Sequence, residues 1–112
     1  MEVIDNFRIV DWNIEAMTGY KPISTFYTDF SIADNFGATA IMDTYTRATE
    51  EWKNDYKMLT ELVMVLNWKI WEHNDRNQKY ARLYTRLYEE LDRYAIDTLK
   101  GEELSYFFST TD

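Results

Sequence analysis

The 112-residue chain has no cysteine, one proline, three glycines and one histidine. Without cysteine there is no disulfide, no thiolate metal site and no cysteine nucleophile. Small secreted domains often depend on disulfides, so their absence points to a reducing, cytoplasmic setting. So few glycines and prolines exclude collagen-like and low-complexity chains. They also argue against a small turn-rich β fold, and three scattered glycines cannot build a phosphate-cradling loop or a nucleophile elbow. Long apolar runs are missing as well. The longest, Leu62 to Leu66, is far short of the roughly 20 residues of a membrane span. The first residues, MEVIDNFRIVDW, lack the basic and apolar regions of a signal peptide.

Aromatic residues are abundant, at 17% of the chain with four Trp, nine Tyr and six Phe. Such a chain is not disordered, and its length suits one domain. The net charge is -8, which repels bulk nucleic acid and keeps a small protein soluble. Residues 1–56 hold 4 basic and 10 acidic side chains, against 8 and 10 in residues 57–112, so the first half is the acidic half.

Periodicity predicts an all-α domain spanning 1–112. In the N-terminal arm, residues 1–30, Val10, Ile14 and Met17 share one side of a short helix over Trp12 to Thr18. Gly19 and Pro22 suit its end. The stretch YKPISTFYTDF, residues 20–30, is rich in aromatic and β-branched residues and reads as an extended aromatic arm. Ser31 and Asp34 resemble a capping box that opens the helical core, residues 31–100. Ile41, Tyr45, Ala48, Trp52 and Tyr56 carry one helical stripe. Leu59, Leu62, Val63, Leu66 and Ile70 carry a second. Asn54-Asp55 is the weak point between them, and the spacing leaves open whether 38–73 is one helix or two. Asn74 to Asn77 reads as a loop. A third long helix covers Lys79 to Leu99, with Tyr80, Tyr84, Leu87, Leu91 and Tyr94 on a short seam. Residues 101–112 form an aromatic tail, docked or free. Together these make a small bundle of three longer helices with short antiparallel connections.

No catalytic motif emerges, and a non-enzymatic protein with no cofactor or metal is the expectation. The lone His73, at the end of an apolar helix, suits interaction with free carbonyls there. No Glu-x-x-His pattern supports a carboxylate metal site. Glu61, the one acid inside the apolar stripe region, pairs by spacing with Lys57. An enzyme site would have to join Glu61 to His73. Two surfaces stand out instead. Trp52, Val65, Trp68, Trp71, Tyr106, Phe107 and Phe108 exceed what a bundle this small readily hides, and surplus aromatics are typical of interfaces. They make a homo-oligomer or a protein partner the leading expectation. Arg76, Lys79, Arg82, Arg86, Arg93 and Lys100 form a basic stripe in a region with six bases and four acids. With tyrosines nearby, this is the alternative of a nucleic-acid contact. A third alternative is an acidic decoy that inhibits a nucleic-acid enzyme.

The stretches DTYTRATEEWKNDYKM with LTELVMVLNWKIWEH, and LKGEELSYFFSTTD, resemble small acidic helical proteins carried by mobile elements of gut bacteria. The resemblance spans Asp29 to the end. It implies a bacterial accessory protein of a plasmid, conjugative element or prophage, and it carries over no activity and no residue role.

Overall fold

A computed structural model describes residues 23–111. Over that range the chain forms five helices and no strand: α1 (Ile23–Asp34), α2 (Ala38–Trp52), α3 (Tyr56–His73), α4 (Gln78–Thr98) and α5 (Glu102–Thr111). The expected helix over Trp12 to Thr18, and the part of the arm before Ile23, lie outside the described residues.

Each helix follows from an apolar stripe at helical spacing. α2 buries Ile41, Thr44, Tyr45 and Ala48. α4 buries Ala81, Tyr84, Leu87, Leu91 and Ala95. α3 is the most apolar and buries the most, from Met58 and Leu59 to Leu66 and Lys69. It is the hub, touched by α1, α2, α4 and α5 alike. That centrality explains why its apolar surface is wider than one stripe.

Capping separates α2 from α3. The Asp55 backbone is extended, and its carboxylate accepts the backbone N–H of Lys57 at 3.1 Å and of Met58 at 3.3 Å. Residues 38–73 are therefore two helices. Asn77 caps α4 in the same way, accepting from the Tyr80 N–H at 3.1 Å. Gly37 joins α1 to α2 at φ 110°, a left-handed conformation that a side chain would strain. Gly101, at φ 60°, opens α5.

Two expectations are corrected. Residues 23–30 are helical and not an extended arm. Phe26, Phe30 and Ala33, spaced by four and three, put a buried stripe against the other helices, and that burial outweighs the β preference of the residues around them. Ser31 and Asp34 consequently lie at the end of α1, so they do not cap a following helix. Residues 102–111 of the tail are also helical, and they pack on α3 and α4. Phe107 is buried, and the Tyr106 ring meets Tyr56 edge-on at 5.4 Å.

Asp55→Ala removes the acceptor for two backbone donors at the start of the hub helix. It is expected to lower the unfolding free energy by about 1 kcal/mol, measured by urea denaturation followed at 222 nm. An unchanged midpoint would show that the cap contributes nothing.

Candidate functional site

The described residues hold one dense group of polar side chains in the interior. It sits where α1, α3 and α4 meet, and Lys69 is its centre. On the stripe of α3, Lys69 takes the place between Leu66 and His73 where an aliphatic residue would fit, and its side chain is 0% exposed. A buried ammonium is costly unless its charge and all three donors are matched. Here they are. The ammonium lies 2.6 Å from Asp34 Oδ2 and 2.5 Å from Glu72 Oε2. It also donates to Ser31 Oγ at 3.1 Å. The ring of Tyr27 lies 4.8 Å from it and the ring of Tyr84 5.9 Å, adding the attraction of two aromatic faces.

The carboxylates are equally occupied. Asp34 Oδ1 accepts the Tyr84 hydroxyl at 2.6 Å, and Asp34 Oδ2 lies 2.9 Å from His73 Nε2. Glu72 Oε1 accepts the Tyr27 hydroxyl. His73 is held flat against the Tyr84 ring, centroids 5.6 Å apart, and edge-on to Tyr80. α1 thus supplies Tyr27, Ser31 and Asp34, α3 supplies Lys69, Glu72 and His73, and α4 supplies Tyr80 and Tyr84.

The proton equilibria follow this wiring. Burial pushes the Glu72 carboxyl up, but hydrogen bonds from Lys69 and Tyr27, with the charges of Lys69 and His73, outweigh it and hold the group below the ordinary glutamate range. The Tyr27 hydroxyl is pushed up to about 12 by burial and by its bond to Glu72. Tyr84 is pushed up strongly by burial and by Asp34. Both hydroxyls stay protonated donors at neutral pH.

Asp34, Glu72 and His73 can each offer a ligand atom within 4.8 Å of the others, a spacing compatible with a metal ion. The Lys69 ammonium, however, stands against the two carboxylate oxygens such an ion would need. The site carries its own cation. Nor does it belong to a Glu61–His73 pair. Those residues are twelve apart on one helix, about 18 Å along its axis.

The sequence-predicted surface residues separate in the fold. Val65 and Phe107 are core residues, 0% and 1% exposed, and are corrected from interface candidates to packing residues. Trp52 is half-buried against the core, and its buried indole N–H finds no acceptor among the described residues. Tyr106 is half-buried beside Tyr56, while Phe108 is exposed. Trp68 and Trp71 share the outer face of α3, at 42% and 73% exposure. Arg76, Lys79, Arg82, Arg86, Arg93 and Lys100 are all exposed. Those within α4 line its outer side, with Glu89, Glu90 and Asp97 interleaved beyond Tyr88. Among the described residues none of these six bases is in an ion pair within 4 Å.

Sequence reasoning misses the Lys69 group and reads Ser31 and Asp34 as a cap. The available signal was a lysine on the buried stripe of the most apolar helix. Comparison with protein-family models, with curated proteins and with solved structures gives no match to this chain.

Lys69→Met leaves two carboxylates facing each other without the buried ammonium between them. It is expected to cost about 3 kcal/mol or more, read as a lowered urea midpoint. Combining it with Asp34→Asn and Glu72→Gln should recover most of the loss. The depressed Glu72 pKa means its contribution is complete above the ordinary glutamate pKa and fades as the pH falls below about 4. Glu72→Gln should therefore flatten the acid limb of a stability–pH curve. An identical acid limb in both proteins would refute the assignment.

Proposed function

We propose that the chain is a non-enzymatic helical interaction module that binds protein, including a second copy of itself, through the outer face of α3. The observation that carries this reading is the exposure of Trp71, with Trp68 one turn away, in a fold that hides most of its other large apolar side chains. Exposed tryptophans on one helix face are what protein interfaces use as anchors. The non-enzymatic part is supported by the Lys69 group, whose carboxylate oxygens and ammonium donors already serve one another. Among the described residues no helix is long and apolar enough to cross a membrane.

A second reading, contact with single-stranded nucleic acid along α4, is favoured by one observation. Between Arg76 and Tyr88 the chain has four bases and no acid, and none of the four is neutralised by a carboxylate within 4 Å among the described residues. The acids further along α4 oppose a longer footprint. This leaves it second.

Sedimentation velocity over a range of concentrations is expected to show reversible self-association. Trp71→Ser should weaken it about tenfold or more without moving the far-UV circular dichroism or the unfolding midpoint. A chain that sediments as a monomer throughout, and a Trp71→Ser protein indistinguishable from it, would sink the reading. For the alternative, low-salt retention of a labelled single-stranded oligonucleotide should vanish when Lys79, Arg82 and Arg86 are changed together to Glu. No retention by the unaltered protein ends it.

A further inference from the structure

We propose that the groove between α1 and α2 receives the basic side of α4 from a second copy of the chain, so that two copies exchange these surfaces about a two-fold axis. This contact goes beyond the α3 face and does not use it.

The groove has a volume of about 500 Å³. Small side chains make its floor, with Ala33, Thr44 and Ala48 buried there. Ile32 of α1 and Phe36, in the turn after it, line one wall at 54% and 77% exposure. They are four residues apart and form one apolar patch, where a single exposed residue would need no explanation. The rim is acidic. Asp29, Asp43 and Glu51 line it against one base, Arg47. Asp43 and Glu51 are exposed and two turns apart on one side of α2, about 12 Å along its axis. Neither is in an ion pair within 4 Å among the described residues. Arg47, between them, turns its Nε to the Asp43 backbone carbonyl at 3.4 Å.

α4 carries the opposite charge over a similar length. Lys79, Arg82 and Arg86 are exposed, share one side at spacings of three and four, and span about 10 Å. They too are in no ion pair within 4 Å among the described residues. Their stems can cover the small apolar floor while the charged heads reach the rim. A guanidinium over the exposed Phe36 ring adds a cation–π attraction.

The two surfaces adjoin on one chain. Gly37, in the turn between α1 and α2, sits beside Tyr80 in the first turn of α4, whose hydroxyl is 4.0 Å from where a Gly37 Cβ would stand. An acidic and a basic surface side by side complement themselves after a half-turn. Each copy then lends α4 to the other's groove, and the charges are matched twice.

The test is sedimentation velocity with the full chain. Asp43→Lys with Glu51→Lys should weaken self-association about tenfold or more, although the change lowers the net repulsion between copies. Lys79→Glu, Arg82→Glu and Arg86→Glu together should do the same. Mixed in equal amounts, the two variants are expected to associate at least as tightly as the unaltered chain, because each reversed surface meets its match on the other. Such recovery also shows that both are folded. A mixture that fails to associate, or self-association moved by neither set, overturns the proposal. Loss on reversing the groove but not α4 overturns it too, and gives the groove to another basic surface. The mixture is repeated with Trp71→Ser in both chains. Recovery there, with Trp71→Ser itself without effect, keeps this contact and removes the α3 reading. Association lost with Trp71→Ser but indifferent to the charge changes does the reverse.

Discussion

The Lys69 ammonium is the interaction on which the arrangement of α1, α3 and α4 depends. A lysine fully withdrawn from water must have its charge balanced and its donors filled. α3 supplies Glu72 itself, but Asp34 and Ser31 come from α1. Asp34 is in turn held by Tyr84 of α4. The apolar contacts of a helix pair tolerate a small slide, because one aliphatic side chain packs nearly as well as the next. A three-donor ammonium between two named carboxylates does not. The cluster therefore fixes which turn of α1 faces which turn of α3, a registry role known for buried polar groups elsewhere.

Around that fixed junction the rest of the helical fold is ordinary. Asp55 and Asn77 stop one helix and start the next by filling backbone donors. Gly37 turns the chain where a left-handed residue is needed. α2 and α5 then lie on the hub through Ile41, Tyr45 and Phe107, all buried hydrophobic residues. Tyr45 adds a bond from its hydroxyl to Glu90 of α4 at 3.3 Å.

What was legible in the sequence divides along physical lines. The three long helices and the loop at Asn74 to Asn77 could be read because their stripes keep one period for several turns. α1 was misread because its composition argues locally for extension, while Phe26, Phe30 and Ala33 act only against partners that periodicity does not display. The status of residues 38–73 was open because Asp55 works through a side-chain bond, which spacing alone does not reveal. Among surface candidates, Trp68 and Trp71 are exposed, whereas Val65 and Phe107 are not. Sequence counts the aromatic surplus but not which side each faces. The polar cluster was invisible for a further reason. Its members come from three helices, and its donors and acceptors match only in space.

Mutual satisfaction in the cluster has a consequence for how the sequence can change. Lys69 can stay buried only while Asp34 and Glu72 balance its charge. A drifting lineage that replaces one of them meets a valley of lost stability before it reaches any new solution, because the remaining charges are stranded. The three positions are therefore energetically coupled: replacing Lys69 alone strands the carboxylates, whereas replacing all three by an apolar set strands no charge among them.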